Sequence, residues 1–111
     1  MAIQEKQLGQ SRPANTTAAS IYSPGASTTA VIKSIFIANT SGASAKARLF
    51  LDDDGTTYDE STALLWDVEV AADSVVEIST FMAMNDSNGN LAIRTDTANA
   101  LTFTVFGAEI T

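Results

Sequence analysis

The feature that most constrains this chain is a period of two. From Ala43 to Val70 the sequence reads ASAKARLFLDDDGTTYDESTALLWDVEV. Ala45, Ala47, Leu49 and Leu51 alternate with Lys46 and Arg48; Leu64, Trp66, Val68 and Val70 alternate with Asp67 and Glu69. Successive side chains of a strand point to opposite faces, so each apolar set lies on one face of a sheet. The stretch therefore predicts a strand, an acidic loop and a second strand. Trp66, in phase with Leu64 and Val68, is expected in the core. One alternative stays open for Ser61–Asp67: a single helical turn, because Ala63, Leu64 and Leu65 favour helix.

The remaining chain extends the pattern. Thr16–Tyr22 is a short strand stopped by Pro24-Gly25, and Thr29–Asn39 is a longer and more apolar one. Ser74–Phe81, Leu91–Thr95 and Leu101–Ile110 come next, separated by turns at Ala72-Asp73, Asn88-Gly89 and Thr97–Ala100. No segment carries the i, i+3, i+4, i+7 apolar spacing of a helix. About seven short strands punctuated by turn formers predict an all-β antiparallel sandwich or jelly roll.

Residues Met1–Asn15 sustain neither period, and Pro13 fixes one backbone angle. They read either as a frayed terminus or as an extended N-terminal arm that reaches a neighbouring subunit. Ile3 and Leu8 would anchor such an arm, and Arg12 would pair with a carboxylate. The expected division is an arm at 1–15 and a sandwich at 16–111.

Several strands also carry large apolar residues opposite their main apolar set. Phe36 sits between Ile35 and Ile37, Phe50 between Leu49 and Leu51, and Phe106 and Ile110 oppose Leu101, Phe103 and Val105. The outer face of a monomeric sandwich is normally polar, so these residues predict a subunit contact. Ile3, Leu8, Arg12, Pro13, Phe36, Phe50, Phe106 and Ile110 are the expected interface, and the chain is expected to form a homo-oligomer.

Composition narrows the chemistry. The 111 residues make one domain. Cysteine and histidine are absent, which removes thiolate catalysis, disulfides, the usual general base and the usual zinc ligand. Six Lys and Arg against thirteen Asp and Glu give a net charge of −7. A nucleic-acid surface clusters basic residues, whereas here they are scattered, so no nucleic-acid partner is expected. The N-terminus lacks the apolar core of a secretory signal, and no apolar run approaches the roughly 20 residues of a membrane span. A soluble chain is expected.

One cluster could bear chemistry: Asp52, Asp53, Asp54, Asp59 and Glu60. Calcium favours such oxygen ligands. With Gly55 as the sixth position of an EF-hand loop, however, Phe50 and Ser61 fall at the first and twelfth, where ligating carboxylates belong. An irregular ion site and a solvated hairpin turn remain the alternatives. Asp52 and Glu60 could also act as an acid and base pair on a glycoside, but nothing nearby supplies a pocket or raises one pKa. No catalytic residue, cofactor or metal ligand is assigned.

As a set, LGQSRPANTTAASIYSP, RLFLDDDGTTYDESTALLW, NGNLAIRT and ANALTFTVFGAEI resemble a group of small structural proteins of tailed bacteriophages. The resemblance runs from Leu8 to Ile110. It implies a non-enzymatic virion component, made in the host cytoplasm, with the major capsid protein or other virion proteins as partners. A capsid decoration or cement protein, often a trimer on a local threefold axis, is its first implication. A tail, collar or fibre-attachment module is the second. A different class also stays open: a binding module whose loops at Asp52–Glu60 and Met84–Asn90 hold a glycan or calcium.

Overall fold

The computed structural model describes residues 2–111. Eight strands succeed one another: β1 (Ile3–Ser11), β2 (Ala19–Tyr22), β3 (Thr29–Asn39), β4 (Ala45–Asp52), β5 (Ala63–Val70), β6 (Val75–Met84), β7 (Asn90–Thr95) and β8 (Leu101–Ile110). The topology is that of one long hairpin rolled up. Its rungs are β4·β5, β3·β6, β2·β7 and β1·β8, all antiparallel. Rolling adds the pairs β3·β8 and β4·β7. The result is two four-stranded sheets, β1-β8-β3-β6 (sheet A) and β2-β7-β4-β5 (sheet B). This is the eight-stranded jelly roll, in which two Greek keys wrap around one core.

The core is the inner face of both sheets. Ile32, Ile35, Ile37, Phe103 and Val105 from sheet A meet Leu49, Val70, Leu91 and Ile93 from sheet B, all essentially inaccessible. Two buried polar residues hold turns. Asn39 donates to the carbonyls of Ala43 and Val70 (2.9 and 3.0 Å) and accepts from the N–H and hydroxyl of Ser41, fixing the β3–β4 corner against β5. Thr95 exchanges hydrogen bonds with the backbone of Thr97 at the β7–β8 corner. Among the described residues, every buried side-chain nitrogen or oxygen has a partner.

Residues Ile3–Ser11, expected as an arm apart from the sandwich, are extended and lie in its own sheet as the edge strand β1. They pair with β8 from Ile3↔Ile110 to Ser11↔Phe103. Without β1, β8 would be the sheet edge and the backbone groups on that side would be unpaired. A register shift between Gln7 and Gly9 turns Leu8 onto the core. Gly9 lies so close to β2 that a Cβ there would sit 2.5 Å from the Ile21 carbonyl oxygen. Arg12 and Pro13 also bind within the chain: the Arg12 guanidinium donates to the Asn99 carbonyl (2.6 Å), and the Pro13 carbonyl accepts from the Asn99 N–H (2.9 Å).

Strand β5 departs from simple alternation. Phe50↔Ala63, Leu49↔Leu65 and Ala47↔Val68 are its partners, so β5 carries an extra residue on each side of Leu65. These are bulges, and each one inverts the phase of the residues beyond it. Leu65 therefore packs inward, while Leu64 and Trp66 turn out and Trp66 is 43% exposed. This corrects the expectation that Leu64 and Trp66 share the inward face of Val68 and Val70. Asp67 takes the left-handed conformation (φ 54°) that makes the second bulge.

Candidate functional site

Most of the residues singled out by sequence lie in three places: the loop end of the sandwich and the two outer sheet faces. At the loop end, Asp52–Glu60 meets the β6–β7 turn. The Asn90 amide donates to the Gly55 carbonyl (2.8 Å), and Gly89 lies against Asp53, where a Cβ would be 2.6 Å from the carbonyl oxygen. The carboxylates here shape the turns. Asp52 accepts from the N–H groups of Thr57 (2.8 Å) and Asp54 (3.2 Å), which hold its pKa below the usual carboxylate range. Asp59 accepts from the N–H (2.8 Å) and hydroxyl (2.5 Å) of Ser61. Asp54 is pushed up by the neighbouring Asp52. Asp52 is thus a tied, ionised cap, the wrong state for a general acid. Among the described residues, no three metal-ligating side chains converge.

On the outer face of sheet B, the chain covers its own aromatic residues. Phe50 is only 1% exposed. It contacts Tyr58 from the acidic loop and the edge of Trp66, both with ring centroids 6.2 Å away. The Arg48 guanidinium lies 3.5 Å over the Trp66 ring and is held by a two-point pair with Asp67 (2.7 and 3.1 Å). The Arg48 hydrogen bond keeps the Asp67 pKa low. Phe50, expected at a subunit contact, is therefore closed over from within. Its loop and its bulged neighbour, distant in sequence pattern, together make the cover.

The outer face of sheet A is left open. Phe36 and Phe106 meet edge to face at 5.9 Å, and Phe106 is 38% exposed. Ile3 and Ile110 are cross-strand neighbours on the same face. Beside Phe106 lie two adjoining shallow hollows. One of about 460 Å³ is lined by Glu5, Lys6, Gln7, Lys33, Phe106 and Gly107. The other, of about 400 Å³, is lined by Gln7, Gln10, Phe36, Thr104 and Phe106. Lys33 pairs with Glu5, and Lys6 with Glu109 (2.6 Å). The structure thus brings Ile3 and Ile110 together, and Phe36 and Phe106 together, on one sheet face; Leu8, Arg12, Pro13 and Phe50 have partners elsewhere in the chain.

Sequence reasoning missed Phe81. Among the described residues it is the most exposed large hydrophobic one, at 77%, with Val75 exposed on the same strand. The signal was present: in VVEISTFMAM, Phe81 falls in phase with Val75 and Glu77 and out of phase with the half-buried Val76, Ile78 and Met82. It is the same test that singled out Phe36.

The geometry defines a jelly-roll domain with a self-covered face and an open apolar one. No protein-family model matches the chain, and no curated protein matches it. Among solved structures, it is similar to a chain from the structure of infectious bursal disease virus, Gx strain. The two share 14% identity and a TM-score of 0.54 over 97% of this chain and 32% of that one. The likeness is one of fold, and this chain spans about a third of that chain's length.

Proposed function

We propose that this protein is a non-enzymatic structural component of a virion, and within that class a capsid decoration protein of a tailed bacteriophage. The observation that carries the proposal is the rolled eight-strand sandwich, which aligns over 97% of its length with a chain of a virus structure. The phage resemblance of LGQSRPANTTAASIYSP and ANALTFTVFGAEI narrows the class to tailed phages. The open face of sheet A supports a role made of contacts, because it groups the exposed side chains of Ile3, Val75, Phe81 and Phe106, and exposed apolar groups gathered on one face favour a protein partner. A decoration protein stabilises a shell by adding contacts around each lattice point. Weak contacts suffice when several copies act together, since each raises the effective concentration of the next. Its partners are then the major capsid protein and further copies of itself.

A tail or collar module is the second reading, favoured by the same face. Copies per purified particle, measured by mass spectrometry against the major capsid protein, separate the two. Many copies over the whole shell support decoration. A single ring at the neck or tail overturns decoration and leaves the collar reading. Absence from the purified particle overturns both.

A further inference from the structure

We propose that strand β6 pairs edge to edge with β6 of a second copy of this chain, antiparallel about a twofold axis at Ile78, so that sheet A continues from one copy into the next. The inference does not depend on where the chain sits on a particle.

A strand at the rim of a sheet carries a row of unpaired N–H and C=O groups along its outer side, a template for another chain. The four rims here are not equal. Rim β1 carries Glu5 and Lys6 and a register shift before Gly9. Rim β2 is four residues long, and rim β5 is bulged twice and carries Asp67 and Glu69. Charges, bulges and short lengths are how a rim resists pairing. Rim β6 (VVEISTFMAM) runs ten residues with Glu77 as its only charge and with neither proline nor lysine. Among the described residues, β3 is the only strand that pairs with it. Their register is unbroken from Val75 to Ser79 and shifts only between Ser79 and Met82.

The same rim borders an apolar slot between the sheets. The slot, of about 200 Å³, is lined by Ile78 and Met82 of β6 and Leu64 of β5, and it reaches Ile35 and Leu49 of the core. Leu64 is 44% exposed. These two features define the occupant. It is an extended strand, whose backbone meets the free N–H and C=O groups, with apolar residues at alternate positions to shield the slot. Strand β6 itself has this make-up, since Val76, Ile78 and Met82 alternate on its inner side.

The pattern of β6 also selects a second copy. Two antiparallel copies keep inner residues beside inner ones only when the axis passes at a residue, because side chains alternate. An axis at Glu77 would set like charges directly opposite, which is unfavourable. An axis at Ile78 is the single choice that pairs the two exposed apolar residues: Phe81 (77% exposed) falls beside Val75 (55%) of the second copy, and Val75 beside Phe81. Ile78 then faces Ile78, and Glu77 faces Ser79. The two Glu77 carboxylates lie on the diagonal, where neighbours are about 7–8 Å apart. Each copy gives what it receives, as a closed twofold contact requires. Added salt should strengthen the pair, because it screens both this diagonal and the net charge of −7.

The test uses the whole chain. Sedimentation velocity gives the mass, and circular dichroism confirms folding. The wild-type chain should exchange between monomer and dimer across the micromolar range. Val75→Lys sets a charge against Phe81 of the second copy, twice per dimer, and should weaken it about tenfold or more. Ser79→Lys puts the same charge opposite Glu77 and should tighten it about threefold. Cysteines test the register separately, since the chain has none of its own. Positions 77 and 79 are exposed, and the proposed pairing puts them opposite each other across copies, within disulfide reach. Mild oxidation of mixed Glu77→Cys and Ser79→Cys chains should therefore give the mixed dimer faster than either variant cross-links alone. A wild-type chain that stays monomeric overturns the proposal. A trimer does so too, because a twofold contact closes at two. So does a folded Val75→Lys chain that dimerises like wild type, or a cysteine mixture that cross-links no faster than its parts. A copy count on the particle is independent of every one of these results.

Discussion

The two outer faces of this sandwich start from the same kind of sequence and end differently. Each carries aromatic residues out of phase with the core set: Phe50 and Trp66 on sheet B, Phe36, Phe81 and Phe106 on sheet A. On sheet B the chain closes over them. Tyr58 reaches back from the acidic loop, and Arg48, held by Asp67, lies over the Trp66 ring. On sheet A the rings of Phe81 and Phe106 stay open to solvent. An outward aromatic in a strand thus does not by itself announce a partner. What decides is whether a neighbouring loop is long enough, and placed, to cover it.

The largest expected effect breaks the comparison directly. Phe50→Ala should destabilise the fold by about 3–5 kcal/mol, the usual cost of a cavity in place of a buried phenyl group. Phe106→Ala should cost about 1 kcal/mol, because its ring is partly in water already. Urea denaturation of the two variants compares them, and equal losses would mean that the two faces do not differ in the way described.

The next effect belongs to neither face and so calibrates both. Between the sheets, the buried Tyr22 hydroxyl donates to Glu109 (2.6 Å), which also pairs with Lys6. Tyr22→Phe should cost about 1–2 kcal/mol, since it leaves Glu109 short of a donor. The pair also fixes the pH profile. Lys6 and Tyr22 hold the Glu109 pKa down, so its contribution is full above the ordinary carboxylate pKa of about 4.3 and is lost as pH falls below it. Burial, and then Glu109, push the Tyr22 pKa up, so its contribution is full below the ordinary phenol pKa of about 10 and is lost as pH rises above it. The melting temperature should fall at both ends, and the alkaline fall should be smaller in Tyr22→Phe.

Arg48→Ala sharpens the comparison from the other side. Removing the cation uncovers Trp66 and should lower stability only modestly. Trp66 is the only tryptophan, so its emission should shift to the red. An unchanged spectrum would mean that Arg48 does not shield the ring. The smallest effect is that of Phe81→Ser, whose stability should stay within about 0.5 kcal/mol of wild type because the ring packs on little. A larger loss would show that Phe81 supports the fold itself.

Much of the fold was legible. Period-two alternation and turn formers located every strand from β2 to β8, and Asp73 does make its turn in the left-handed region (φ 55°). Strand β1 was not legible because its inward positions, Gln4, Lys6 and Ser11, are polar: they lie at the rim, where Lys6 meets Glu109 instead of the core. Trp66 was misassigned because a bulge leaves no mark in the periodicity of an Ala-Leu-Leu-Trp run. The glycines in Asp54-Gly55 and Asn88-Gly89 marked turns correctly, yet not through positive φ, which no described glycine adopts. Gly89 instead allows the close approach of Asp53. Strand order was beyond the sequence, since alternation is the same in every wiring of a sandwich.

The rolled hairpin also sets a timetable. Its innermost rung joins Phe50 to Ala63, whereas its outermost joins Ile3 to Ile110. Closing a loop costs more entropy the longer it is, so the chain zips from the acidic loop outward and frays from the β1 rim inward. With most pairings remote, folding should take on the order of milliseconds to seconds. Amide hydrogens of β1 should exchange with solvent long before those of β4.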